Sequence, residues 1–403
     1  MLAACTATPA PTPSPTPSLL PTQVAASPTR SPSSVPFQAL QVPALHGDWA
    51  FAVKFGELWA IPVAGGAAVQ VARYIDRIDQ TITYPGLTLP ANELRRQLTP
   101  DGHRLVLSVG EDVAGGPRYR LALIDLERGT LAQVVRDDAN LIRPAISPDG
   151  TKIAYVRRLS TASSEPGALG DDGLWVVNAD GTGARRLAPG ADGLFTWIFG
   201  WTADGKGLIF DSLEWSAGPL VIDIASGNRT LVGGFVPREW LTLGSDFALR
   251  TKGSPSLVAG LSSKAFQGEY SLVVADRAGG TERTLVAEGN TFFLLGAPRW
   301  NPRTDEILYR HVMRLNQMEF FVADLTGAHT RIPLAVRPYL ADWTSDGAGI
   351  VYLSQDITPQ DFSRVGASLA RAVRIANRDG SADRELFSFS GGGLSDLVVV
   401  GYP

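Results

Sequence analysis

Cysteine is almost absent: Cys5 is the only one in 403 residues. One thiol excludes an internal disulfide, so the fold has to stand on packing alone. Histidine is scarce as well. His46, His103, His311 and His329 fall in separate parts of the chain with no ligand spacing, so neither a metal nor a cofactor is expected. No run of 18 apolar residues occurs, and no segment reads as a membrane-spanning helix. Basic residues are not in excess. Lys and Arg number 36 against 40 Asp and Glu, for a net charge of −4, which makes nucleic acid a poor partner. No helical period is sustained; residues 91–98 make a short helix at most. The Gly-x-Ser-x-Gly elbow of serine hydrolases is missing. Gly200-Trp201-Thr202-Ala203-Asp204-Gly205-Lys206 imitates a phosphate-binding loop, but Gly207 stands where Ser or Thr would hold Mg²⁺.

What the chain has in quantity is turns, with 42 Gly and 28 Pro. One turn is written seven times, as an apolar strand, an Asp or Asn, and a Gly shortly after. The copies include Asp125-Leu126-Glu127-Arg128-Gly129, Asn178-Ala179-Asp180-Gly181, Asp223-Ile224-Ala225-Ser226-Gly227, Asp324-Leu325-Thr326-Gly327 and Asn377-Arg378-Asp379-Gly380. From Gly66 to Gly380 the steps are 63, 52, 46, 53, 47 and 53 residues. A period near 50 with strand-turn-strand content is the signature of β-propeller blades.

A second turn interleaves with the first. Thr99-Pro100-Asp101-Gly102, Ser147-Pro148-Asp149-Gly150, Thr202-Ala203-Asp204-Gly205 and Thr344-Ser345-Asp346-Gly347 each precede a β-branched, aromatic run such as Ile153-Ala154-Tyr155-Val156. Pro sets φ, Asp bonds backbone ahead of it and Gly takes positive φ, so each is a tight hairpin. Their aspartates are explained by turn geometry rather than by calcium. Asp246 before Phe247-Ala248-Leu249 reads as a worn copy, placing 247–249 in a second strand. Trp201, Trp300 and Trp343 stand just before such turns and are expected between blades.

These repeats resemble the Trp-Ser-Pro-Asp-Gly and Asn-Ala-Asp-Gly repeats of TolB-type (WD40-like) β-propellers over roughly residues 46–403. The resemblance implies an all-β propeller, with seven four-stranded blades read from the turn count and six or eight as alternatives. The first unit has no inner strand before it, and Leu397-Val398-Val399-Val400 is left over at the end. That last strand is expected to pair into the first blade and close the ring.

Strand order then places the loops. Both tight turns fall on one face. The connections on the other are longer and more varied: 110–118, 157–172, 212–218, 251–269, 354–370 and 72–97. Variable loops on a rigid scaffold are where binding resides. Residues leaving the second strands toward that face are the ligand-binding candidates: Arg157, Arg158, Asp211, Glu214, Trp215, Arg250, Arg310, His311 and Asp356. No catalytic residue stands out.

The N-terminus reads as an address. Leu2-Ala3-Ala4-Cys5 resembles the lipobox of bacterial lipoproteins, whose cysteine is lipidated once the signal peptide is removed. Only four residues precede Cys5, so either the true start lies upstream or lipidation fails. Residues 6–36 hold nine Pro, twelve Ser or Thr and one charge, Arg30. Such a segment cannot bury a core and forms an extended stalk. The organisation expected is a lipobox remnant (1–5), a disordered stalk (6–36) and a propeller (37–403). The function expected is non-catalytic binding of a protein, peptide or envelope component by a monomeric lipoprotein in the periplasm or on the cell surface. An enzyme acting on a glycan at the channel mouth, and a sensor or solute-binding lipoprotein, are the alternatives.

Overall fold

One aspartate organises the hairpin turn at four places. In the turn after the strand Asn140–Ile146, Asp149 accepts from the Ser147 hydroxyl at 2.6 Å and the Thr151 N–H at 3.0 Å. The Gly150 N–H returns to the Ser147 carbonyl at 2.8 Å. Asp101, Asp204 and Asp346 repeat the arrangement with Thr99, Thr202 and Thr344. Bonds from the Thr344 hydroxyl and the Ala348 N–H hold the Asp346 carboxyl below the usual carboxylate range. At Asp149 burial acts upward, and the bonds it accepts outweigh it.

The computed structural model describes residues 44–54, 57–73, 83–84, 87–88, 94–113, 116–135, 137–158, 171–189, 196–202, 204–212, 220–231, 248–249, 257–264, 269–276, 283–288, 296–314, 317–355, 370–389 and 393–403. Apart from the helical turn Leu94–Gln97, their regular structure is antiparallel strand. No helix among them is long and apolar enough to cross a membrane.

The strands form meandering units, numbered here in chain order. Unit 2 is Arg104–Val113, Gly116–Asp125 and Thr130–Gln133, with Leu98 bridged to Leu105 on its inner side. Unit 3 is Asn140–Ile146, Lys152–Arg158, Asp171–Asn178 and Arg185–Pro189. Unit 4 runs from Thr196–Trp201 through Gly207–Ser212 and Leu220–Asp223 to Arg229–Leu231. Unit 5 comprises Ala248–Leu249, Leu257–Lys264, Glu269–Asp276 and Arg283–Glu288. Unit 6 comprises Gly296–Trp300, Ile307–Arg314, Gln317–Ala323 and His329–Ile332. Unit 7 is Pro338–Trp343, Gly349–Gln355, Ala370–Asn377 and Arg384–Ser388.

Unit 1 takes its inner strand from the far end of the chain. Leu394–Tyr402 pairs antiparallel with Gly47–Lys54, from Gly47 opposite Tyr402 to Lys54 opposite Leu394. Glu57–Pro62 and Val69–Arg73 complete it. The expected closure by the last strand is what the register shows. Pairing covers an edge that would otherwise template aggregation.

Alternation along each strand sends side chains to both faces, so neighbouring units share cores. Val106 and Leu121 of unit 2 pack with Tyr155 and Val177 of unit 3. Ala154 and Val156 of unit 3 pack with Trp201 and Phe210 of unit 4. Leu272 and Val274 of unit 5 meet Trp300 and Tyr309 of unit 6. Ala50 and Val399 of unit 1 meet Val351 and Val373 of unit 7. The tryptophans sit as expected. Trp201 Nε1 donates to the Ala145 carbonyl of the preceding unit at 3.0 Å, and Trp343 Nε1 to that of Arg299 at 3.1 Å.

Three junctions carry a further tie that the sequence reading missed. Arg185, Arg283 and Arg384 begin outer strands, each opposite the residue two before the turn Asp or Asn. Each reaches the next unit and donates to the carbonyl just after the equivalent turn position. Arg185 bonds Ile224, Arg283 Leu325 at 2.6 Å, and Arg384 Val63 at 3.1 Å. Turn glycines close junctions as well. Gly347, at φ +70°, has no room for a Cβ, which would lie 2.2 Å from Asn301 Oδ1 of the preceding unit.

Two loop assignments and one strand assignment need correction. Residues 110–118 look like a Gly/Pro-rich loop, but the ladder of unit 2 continues to Val113 opposite Gly116. Backbone pairing satisfies N–H and C=O groups whatever the side chains, so composition misled there. Ala248–Leu249 is the inner strand of unit 5, not its second. The second is Leu257–Lys264, inside the stretch 251–269 read as one connection. Its Gly, Ser and Lys content hid an eight-residue ladder.

Candidate functional site

The long-loop rim is described at Arg157, Arg158, Arg310 and His311. Arg157 is the penultimate residue of the second strand of unit 3, on the face that carries Tyr155. Its Nε and Nη2 lie 2.7 and 3.0 Å from the Asp137 carboxylate, and its Nη1 lies 2.7 Å from Asp172. The guanidinium also lies over the Trp175 ring, 5.6 Å from its centroid. The Asp137 bond holds the Arg157 pKa above its ordinary value. Burial raises Asp137, and the bonds from Arg157 and the Ala139 N–H outweigh it, leaving that carboxyl below its usual range. Tyr155 beneath is pushed up to about 12, by burial first and then by the Asp137 charge. Arg157 is therefore a clamp between two connections, and its fork is already filled.

Arg310 is likewise engaged within the fold. Its Nη1 donates to the Tyr339 carbonyl of unit 7 at 2.8 Å, with the cation 5.5 Å from the Tyr339 ring centroid. His311 is buried with its ring 5.8 Å from Phe321, and Arg158 is buried too. Asp211 lies opposite Trp197 in the strand register of unit 4. Cys5, Glu214, Trp215, Arg250 and Asp356 lie outside the described residues. So the described candidates are split among units 3, 4 and 6, and Arg157 and Arg310 are bonded within the fold.

A second constellation lies on the inner strands, which line the propeller axis. Leu94–Gln97 takes the inner position of unit 2 as a helical turn, touching the inner strands of units 1, 3 and 4. From it Arg95 crosses to Asp342 on the inner strand of unit 7, with Nη2 2.8 and 3.0 Å from the two carboxylate oxygens. Asp342 is fully buried, whereas the Arg95 side chain is 37% exposed. Asp342 also accepts the Trp343 N–H at 2.9 Å and the Val399 N–H at 3.0 Å. Asp396, one strand further round, accepts the N–H groups of Leu94 at 2.7 Å and Leu397 at 2.8 Å. The two acids join units 7, 1 and 2.

Above Arg95, on the tight-turn face, is a cavity of about 200 Å³ lined by Leu98, Trp300, Trp343, Thr344, Ser345 and Val398 among others. It offers an apolar wall, hydroxyls at its rim and one cation. Among the described residues no group of three or more His, Cys, Asp or Glu is placed to hold a metal ion. Sequence reading missed Arg95, Asp342 and Asp396. The available signal was a lone Asp inside an apolar inner strand, in Leu340-Ala341-Asp342-Trp343 and again in Asp396-Leu397-Val398.

No family model matches the chain, and no curated protein does. Solved structures do. The oligogalacturonate lyase of Vibrio parahaemolyticus aligns over 86% of each chain at 12% identity, with a TM-score of 0.52. An acylaminoacyl peptidase of Pyrococcus horikoshii aligns over 83% of this chain at 10% identity, with a TM-score of 0.53. That alignment spans 48% of the peptidase, about half its length. A putative TolB of Agrobacterium tumefaciens aligns over 89% of this chain at 16% identity, with a TM-score of 0.41. What the chain shares with the lyase and the peptidase is the fold, an all-β propeller of four-stranded antiparallel sheets.

Proposed function

We propose that this chain is a seven-bladed propeller that works as a binding module outside the cytoplasm, held to the membrane by a lipid on Cys5. Its long-loop face takes a protein, a peptide or another envelope component, and the stalk of residues 6–36 gives it reach. The observation that carries the non-catalytic reading is the state of the buried acids. Asp342 accepts from Arg95 and two N–H groups, and Asp396 from two N–H groups. A carboxylate so engaged is a joint of the scaffold, since a general acid or base needs access to its substrate's proton. The clamped Arg157 supports the same reading, because it fixes the connections around it as a rigid platform.

The test is capture from detergent-solubilised envelope with the full chain as bait. A second bait carries Trp215→Ala, Arg250→Ala and Asp356→Ala, leaving the clamps of Arg157 and Arg310 intact. A partner held by the first bait and lost by the second supports the reading. One held equally by both moves the site off the long-loop face, and no partner at all counts against a scaffold. The enzymatic alternative, cleavage of a glycan at the channel mouth, predicts new reducing or unsaturated ends when purified chain is incubated with envelope polysaccharide.

A further inference from the structure

The arginine ties define a register that three units fill and others leave open. Arg185 lies opposite Val176, Arg283 opposite Val274 and Arg384 opposite Ile375, in each case two residues before the turn Asn or Asp. The same place holds Val69 in unit 1, Thr230 in unit 4 and Thr330 in unit 6, and in unit 2, opposite Leu123, the smallest of these side chains, Ala132. The acceptor that an arginine there would meet is the Ala179 carbonyl, directly after Asn178. Among the described residues no side chain is bonded to it. An open groove of about 530 Å³ lies between units 2 and 3 instead, with Leu123, Ala132 and Ala179 in its lining.

The charges around this groove decide what it can take. Arg104, Arg128 and Lys152 line it together with Asp125 and Asp180. All are engaged locally. Arg104 Nη1 bonds the Gly150 carbonyl at 3.0 Å, and Lys152 Nζ bonds Asn178 at 3.0 Å. Arg128 pairs with Asp125 at 3.3 Å, and Asp180 accepts from the Thr182 hydroxyl and N–H. An ionic ligand of either sign would meet like charge here. A neutral ligand bearing many hydroxyls would meet acceptors and donors together, beside a small apolar surface.

We propose that the groove between units 2 and 3 is a binding site for a neutral saccharide. Its hydroxyls donate to the Ala179 carbonyl and the Asp125 and Asp180 carboxylates and accept from Arg104 and Arg128. A sugar C–H face covers Leu123 and Ala132. The volume falls within the roughly 300–1,000 Å³ usual for small-ligand sites. The site is separate from the long-loop face, so either reading can fail without the other.

The test uses the full chain titrated with maltotriose, cellotriose and N-acetylated chitotriose by NMR or calorimetry. Trigalacturonate and an arginine-containing tetrapeptide serve as charged comparators. Ala132→Arg rebuilds the missing tie and fills the groove. Expected is binding of at least one neutral oligosaccharide, weakened about tenfold or more by Ala132→Arg, with a raised Tm showing that the tie has formed. Should Ala132→Arg not fold, the exposed pair Arg128→Ala with Asp180→Asn is expected to weaken binding without changing Tm. Unchanged saccharide binding in a folded Ala132→Arg chain overturns the proposal. So does binding by none of the three neutral sugars, or by the peptide or trigalacturonate alone.

Discussion

Arg95 and Asp342 stand 247 residues apart in sequence and 2.8 Å apart in the fold, one partly exposed and the other fully buried. The asymmetry sets the cost of losing each. Arg95→Ala leaves Asp342 with two N–H donors and is expected to cost about 1–2 kcal/mol. Asp342→Ala strips the Trp343 and Val399 N–H groups of their acceptor and empties a buried site, for about 3–5 kcal/mol. Urea unfolding of both variants checks the order; equal losses would mean that the ion pair, and not the N–H bonds, carries the stability.

The closing strand contributes its two faces to two cores, with Val398 and Val400 in one and Leu397 and Val399 in the other. Removing residues 394–403 exposes both, together with the inner edge of Gly47–Lys54. The expected result is loss of a single cooperative melting transition, read by calorimetry. A truncated chain that melts unchanged would refute closure by this strand.

Arg384 ties unit 7 to unit 1 across 321 residues. Arg384→Met keeps much of the side-chain length and removes the charged donor, which is expected to cost about 1.5–3 kcal/mol. Arg331 is a fit control, being in the same strand position range but paired with Glu319 of its own unit. Its replacement by Met should cost under about 1 kcal/mol. Thermal melts of the two variants decide whether bonds between units matter more than bonds within them.

The Asp137–Arg157 clamp predicts a pH dependence of known sign. Because the folded Asp137 carboxyl titrates below its unfolded value, its contribution is fully present above the unfolded pKa near 4 and is lost as pH falls through the folded value. At neutral pH, Asp137→Asn should cost roughly 1–2 kcal/mol. That difference should shrink as the solution is acidified below about pH 4. A wild-type-minus-variant difference that stays constant over this range would show that Asp137 acts by shape alone.

The turns were legible because each is local: Ser147, Asp149 and Gly150 make their bonds within five residues of one another, and so does Thr344 with Asp346 and Gly347. The closing strand was legible too, since an unpaired apolar run at one end matched a missing strand at the other. What sequence could not reveal was long-range or hidden by composition. Asp342 looks like any strand residue until Arg95 and Val399 are brought to it by ring geometry. Leu257–Lys264 looks like a loop because its residues are small, yet it pairs through all eight positions. The partners of the rim arginines were hidden as well. Arg157 and Arg310 read as ligand-seeking because of their residue type, and the fold uses them as internal fasteners.

Pairing Leu394–Tyr402 with Gly47–Lys54 also constrains how the chain comes to be made. A strand needed by the first unit is synthesised after units 2 to 7, so no growing chain that stops short of Leu394–Tyr402 can finish the ring. Until then the Gly47–Lys54 edge waits unpartnered, and the intermediate is a curved stack of sheets open at one side. Closure is the contact of highest sequence separation and carries the largest loop entropy, which makes it the slow step of assembly.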